Sequence, residues 1–445
     1  MSSKLKPVGA GTLFAFAALM TLVAVLYARP ATGAQPPGAA DPAVVPAWNE
    51  IALTTITRPV AGPAPFGAGK NNVEAFLWLA YVQAAVYNAV NGITGQYELY
   101  EWKAQGPKGA SPQAAAAVAA HRVLMEYFGT RDFANSETIA ANLDSALATS
   151  LGQITDGVPK DQGVRYGERA AERLIELRAD DGRFAPIVFD QPLAPGVWRP
   201  TPPAFAPFFG PWMGQVDPFV VNSPSQFDPG PAPPIASNLY VEEFEEVRDY
   251  GVNVGSLRSA QQTQTALFFS DVGVGPLQAG IRDLVTRRAL DISDSARLFA
   301  AVDLSMADTA ISVWNAKFHY GWWRPITAIR EADTDGSSST VGVPGWTPLL
   351  VTPPYPDWPS GLCGVVGSAS TALARLNVDG RIDLNLTSVA AGVTRHYDFA
   401  ADIQQDATDA RVFSGIHFRT ADEVAIVMGT QVANWALDHH FAPAN

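Results

Sequence analysis

The sequence predicts an all-α protein interrupted by one irregular arm, on three observations. Apolar residues recur at three- and four-residue spacing through Ala- and Leu-rich segments of the first half, as helices with one buried face require. Residues 184–237 abandon that pattern for proline, glycine and aromatics, as in WRPTPPAFAPFFGPWMGQ and SQFDPGPAPP, which no helix of any length accommodates. Helical periodicity then resumes at Asn238 and continues toward the C-terminus.

Taken in order, residues 1–34 read as an export signal. MSSKLKP is a basic lead, Thr12 to Ala28 an apolar run, and ARPATGA a small-residue cleavage site. Cleavage after Ala34 removes Lys4, Lys6 and Arg29 and no acid, which takes the formal charge from −13 to −16. The expected product is exported, secreted or periplasmic, with no stable membrane insertion. An uncleaved anchor is the alternative, because the apolar run is close to the shortest that spans a bilayer. No later stretch reads as apolar for long enough to span.

Residues 35–183 read as an N-terminal helical bundle, with helices over Val73–Val90, Pro112–Phe128, Ser136–Leu151 and Lys160–Asp180. Residues 184–237 are a connecting arm whose Trp and Phe content marks it as packed over helices. Residues 238–445 are the second helical unit, opening at NLYVEEFEEVRDYG and including SDSARLFAAVDLSMADTAISVWNAKFHY. Near its end, Thr420 followed by Glu423 is a capping box that starts a last helix running to about Leu437. Gly415 breaks the segment before it, so Arg411 falls in a last turn and His417 on the rim of a pocket, just ahead of the next helix.

Composition narrows the partners more than the chemistry. With 445 residues, 47% hydrophobic and 16% charged, the chain can bury one large or two medium cores. Its formal charge of −13 argues against nucleic acid or an anionic membrane as partner. The single cysteine, Cys363, cannot form an intramolecular disulfide and has no histidine beside it in sequence, so it reads as a small packing residue.

Chemistry concentrates in the last third. Lys317 and Arg324 lie seven residues apart, two turns on one helix face, with Pro325 placing Arg324 near a helix end. Two like charges side by side need an anion between them. Ser360 and Gly361 follow two prolines and precede the run LCGVVGSASTALARL, where a helix would begin and offer free N–H groups. With Arg411 and His417, the set reads as a pocket for a tetrahedral oxyanion.

In order and spacing, Lys317 with Arg324-Pro325, Pro359-Ser360-Gly361, and Arg411 with His417 resemble the vanadium-dependent haloperoxidases and the type 2 phosphatidic acid phosphatase superfamily that contains them. The wider wording, from AWNEIALTTI at Ala47 to the C-terminal VANWALDHHF, is similar to exported bacterial members of the haloperoxidase-like group. The resemblance implies two packed bundles of four-helix type, the second carrying the pocket. It implies vanadate (orthovanadate) as cofactor, or phosphate in the same pocket, with His417 as vanadium ligand or as nucleophile toward phosphorus. Lys317, Arg324, Arg411, Ser360 and the Gly361 amide would hold the oxygens, and hydrogen peroxide with a halide or small organic substrate would be the partners.

The second block departs from the family pattern, because Leu362 stands where the family has its acid/base histidine. That loss would hurt a phosphatase more, since a leaving alkoxide needs a proton. The favoured reading is therefore a haloperoxidase-like oxidoreductase of weak or altered activity. The alternatives are a phosphatase working through a phosphohistidine at His417 and a non-catalytic phosphate- or vanadate-binding protein. His396, His319, Asp357 or Tyr355 could substitute for the missing histidine. Asp422 reads as a helix first-turn acid or as the orienting partner of His417. His121, His439 and His440 carry no motif, the last two reading as exposed tail. Trp322 and Trp323 either wall the pocket or fill a core. Gly364, Gly367, Ala369 and Ser370 read as small residues allowing close helix contact behind it.

Overall fold

The computed structural model describes residues 40–58, 67–130, 135–377 and 379–444; the leader and cleavage site read from the sequence lie outside them. The described chain is predominantly helical, as predicted, with a single short hairpin among its elements. Its first half holds α1 (Val44–Thr57), α2 (Asn72–Thr94), α3 (Pro112–Leu124), α4 (Ser136–Gly152) and α5 (Val158–Leu177). Asn71 starts α2 by accepting from the amides of Val73 and Glu74, and left-handed Gly95 ends it. By length and composition α2 could cross a bilayer, contrary to the sequence expectation for the later chain, but 89% of its most apolar window is buried inside the fold. A helix apolar on every face is here a core helix.

The arm is ordered by backbone hydrogen bonds to buried charges. Asp308 accepts from the amides of Phe219 (2.6 Å), Val220 (2.7 Å) and Val221 (2.9 Å). Burial still pushes that carboxyl up to about 6. Arg178 donates to the carbonyls of Asp217 and Pro218, and Tyr100 to that of Phe219.

The second half contains α6 (Asn238–Tyr250), α7 (Ala260–Asp271), α8 (Val274–Arg287), α9 (Ile292–Tyr320), α10 (Pro325–Glu331), α11 (Gly361–Leu376), α12 (Ala400–Phe413) and α13 (Arg419–His439). Between α11 and α12 lies an antiparallel hairpin, β1 (Leu384–Ser388) and β2 (Val393–Tyr397), with Leu384 opposite Tyr397. The helical periodicity expected from Asn238 onward is interrupted here. Alternation in β1 instead turns Leu384, Leu386 and Ser388 inward, and α8 packs on it through Gly280, where a Cβ would stand 2.6 Å from the Asn385 carbonyl.

Helix α9, 29 residues long, is the spine: α2 packs along it from the first half, and α11 and α13 from the second. One apolar cluster accordingly runs from Trp48 in α1 through Leu304 in α9 to Ala433 in α13. The small residues of α11 do allow a close approach. A Cβ on Gly429 of α13 would lie 2.0 Å from the Gly364 carbonyl, and one on Gly367 would lie 2.7 Å from that of Ile426.

Candidate functional site

Lys317 lies in the last turn of α9, which left-handed Gly321 terminates. Arg324 is extended, as the residue before a proline prefers, and precedes α10. The two cations therefore meet across a helix break and not along one helix face. Both brace the loop that leads into α11. Lys317 Nζ donates to the carbonyls of Pro356 (2.6 Å) and Asp357 (2.9 Å), and Arg324 Nε to that of Tyr355 (2.7 Å). The Ser360 amide donates to the Ala421 carbonyl at 2.9 Å, which ties the start of α11 to the start of α13.

His417 is 1% exposed, so it lies inside the pocket and not on its rim. Gly415, at φ +76°, makes the turn that brings it there. Its Nδ1 stands 2.7 Å from Asp357 Oδ1, and its Nε2 stands 3.0 Å from Arg324 Nη1. A guanidinium can only donate, so Nε2 is the accepting nitrogen and Nδ1 carries the proton toward Asp357. Asp357, named from sequence only as a stand-in for the missing histidine, is thus the partner of His417. Burial, followed by the charges of Arg324, Arg411 and Lys317, holds the imidazole well below its ordinary value and keeps it neutral. Burial pushes Asp357 up to about 7, against the pull of Arg324 and Lys317. Lys317 is driven well below its usual value by burial and then by Arg324.

Among the described residues, three buried donors here have no partner: Arg324 Nη2, Ser360 Oγ and Arg411 Nε. The charge of Arg411 is felt at Arg324, and both Ser360 and Arg411 act on Asp422, so the three residues are neighbours. An unpaired buried donor costs about 1–3 kcal/mol, and an oxyanion would satisfy all three. The Gly361 amide, first in a helix with no side-chain cap, adds a fourth donor of the same sense. Cations, a hydroxyl and a free amide suit a tetrahedral oxyanion such as vanadate or phosphate.

Asp422 does lie in the first turn of α13, buried beside Ser360, Cys363 and Arg411, and burial holds its carboxyl well above the ordinary range. Ser360 Oγ is next to it without a well-formed bond. Cys363 is fully buried with its thiol pushed up by burial, which suits packing. The expected capping box is absent. The amide and hydroxyl of Thr420 both donate to Glu243 of α6, a buried carboxylate that takes the donors before Glu423 can return the bond.

Other residues singled out by sequence lie elsewhere. His396 is on β2, its ring nitrogens facing Asn385 and Asp398, and His319 is exposed with its ring against Tyr320. His121 faces Asp144. The terminal pair is held, not trailing: His439 stacks on Trp435, and a ring nitrogen of His440 reaches the Val220 carbonyl. Trp323 fills a separate apolar cluster with Phe244 and Trp346, and Trp322 packs on Tyr240. The aromatic walls near the pocket are instead Trp314 and Tyr355, ring centroids 4.9 Å apart. Sequence carried a signal for Trp314, which stands one helical turn before Lys317. Gly361, Leu362 and Arg411 also line a cavity of about 400 Å³.

Residues 297–445 match the family model for the VCPO second helical-bundle domain. The vanadium chloroperoxidase of Curvularia inaequalis is 21% identical over 477 residues, covering 84% of this chain and 78% of its own. A bacterial vanadium-dependent iodoperoxidase structure superposes with a TM-score of 0.69 at 23% identity, covering 90% of this chain and 96% of that one. A holo-type bacterial vanadium-dependent chloroperoxidase gives 0.64 at 18%, covering 88% and 97%.

Proposed function

We propose that this chain, which belongs to the vanadium-dependent haloperoxidase-like family, holds orthovanadate among Lys317, Arg324, Ser360, Gly361, Arg411 and His417 and acts as a peroxide-dependent halide oxidoreductase. The observation that supports this best is the group of buried donors without partners, Arg324 Nη2, Ser360 Oγ and Arg411 Nε. His417 would ligate through Nε2, because Asp357 keeps the proton on Nδ1 and the lone pair on Nε2, which would exchange its bond from Arg324 for the one to vanadium. When bound, vanadate supplies Lewis acidity toward peroxide. Arg324 and Arg411 offset the negative charge of the oxyanion, Ser360 and the Gly361 amide donate to its oxygens, and Lys317 fixes the loop that presents them. Leu362 has no proton to give or take, so a contribution of about 10²–10⁴-fold from acid/base catalysis is lost at that position. Weak or altered halogenation is the expected consequence. Export rests on residues 1–34 and is part of the same proposal.

The His417–Asp357 pair also favours a second reading, in which Nε2 attacks phosphorus in a phosphate ester. Leu362 weighs against it, because the leaving alkoxide finds no acid there. The deciding experiment titrates the purified chain with vanadate by calorimetry, then assays bromide- and peroxide-dependent bromination of a phenol dye, with His417→Ala as control. Saturable, vanadate-dependent bromination lost in the control supports the peroxidase. Hydrolysis of a phosphate ester inhibited by vanadate transfers the function to the second reading, and anion binding without turnover makes the chain a binding protein.

A further inference from the structure

The cavity of about 400 Å³ that shares Gly361, Leu362 and Arg411 with the anion set is far larger than a halide or a peroxide molecule needs. Its walls come from four parts of the fold: Phe76 of α2, Phe269 of α7, Trp314 of α9 and Tyr355 of the loop before α11. Leu362 and Val365, one turn apart on α11, supply a continuous aliphatic strip. Among the described residues Arg411 is the one charged side chain in the lining, and it belongs to the anion set. A histidine at position 362 would place a polar ring in this strip. Leucine there keeps the wall apolar up to the first turn of α11, beside Gly361.

We propose that this cavity is a binding site for a neutral, ring-bearing organic molecule, held against Leu362 and Val365 and between the aromatic walls. The role that follows, resting on the peroxidase reading above, is that of acceptor oxidised in place beside the anion site. In balance, an aromatic C–H becomes C–halogen, and the halide loses two electrons to hydrogen peroxide. The peroxide takes the ring proton and one proton from solution and leaves as two waters. An electrophile formed beside a bound acceptor has no path through bulk water, so selectivity among acceptors would follow the shape of the cavity.

The test uses 1-naphthol as a neutral two-ring probe and inorganic phosphate as the anion probe, both by calorimetry on the full chain. Val365→Trp on α11 and Leu350→Trp on the segment before it each add bulk to the cavity lining at a residue outside the anion set, and phosphate binding reports that either variant is folded. The expected result is saturable naphthol binding to the wild-type chain, weakened at least tenfold in a folded variant whose phosphate affinity is unchanged. Naphthol binding equal in wild type and folded variant, or no naphthol binding by a chain that binds phosphate, overturns the proposal and leaves the anion site standing. Naphthol binding that fills with the variants, in a chain that ignores both phosphate and vanadate, retains the apolar site but removes its role as acceptor.

Discussion

Asp357 Oδ1 and His417 Nδ1 stand 2.7 Å apart in a fully buried pair, with Arg324 closing the other edge of the imidazole. The pair sets which nitrogen carries the proton and which keeps the lone pair that Arg324 meets. In ¹⁵N spectra, His417 is expected to show a protonated Nδ1 and an unprotonated Nε2. Asp357→Ala should mix the tautomers and lower turnover by about 10–100-fold, the usual loss when a ligand's supporting partner is removed. An unchanged tautomer in that variant would refute the assignment.

Phosphate or vanadate should stabilise the fold by satisfying the unpaired donors. At a hundred times the dissociation constant the gain is about 2.7 kcal/mol, visible as a rise in Tm. Arg411→Ala should lose most of that rise while keeping a cooperative transition. A full ligand-induced shift in the variant would remove Arg411 from the site.

Leu362→His should return an acid/base group to the first turn of α11. Peroxide-dependent bromination is expected to rise by about 10²-fold or more in kcat/KM. The same change should weaken naphthol binding, because it breaks the aliphatic wall formed with Val365. No gain in bromination would mean that the proton transfer is supplied elsewhere or is not limiting.

Asp303, buried in α9, has one oxygen without a partner among the described residues, and burial pushes its carboxyl up to about 7 against Gln278 and Arg282. A raised folded value means that the unfolded chain ionises first. Stability therefore falls as pH rises from about 4 to 7 and is level above that range. Asp303→Asn removes the charge, so its Tm advantage over wild type should be absent near pH 4, grow toward pH 7, and then stay constant. The plateau is on the order of a few kcal/mol. A pH-independent difference would show that the carboxyl is not the source.

Gly429→Ala should cost at least about 2 kcal/mol, because its Cβ would meet the Gly364 carbonyl and force α11 and α13 apart. Those helices carry Gly361 and follow His417, so anion affinity should fall with stability. Chemical denaturation and phosphate calorimetry on the same preparation check both effects.

The helices were legible because their apolar spacing is local, and the basic residues because their types and intervals are distinctive. The hairpin at 384–397 was missed because LNLTS and VTRHY are each too short for alternation to stand out among helices. Asp357 was undervalued because its meaning depends on a histidine sixty residues away, which only the packing of α13 against the start of α11 brings close. Thr420 and Glu423 had the right local spacing, but Glu243 of α6, distant in sequence, competes for the same donors. Trp322 and Trp323 drew notice by adjacency to Arg324, whereas the wall was one turn before Lys317.

Helix α9 carries Lys317 at one end, and α2 lies along the same helix from the first half of the chain. The family match begins at residue 297, inside α9, so that boundary divides a helix that both halves need. Expressed alone, 297–445 would present an apolar stripe to water where α2 had been. The anion pocket is therefore not a transplantable module: inheritance, truncation and design must all take the first half of the chain along with the residues that do the chemistry.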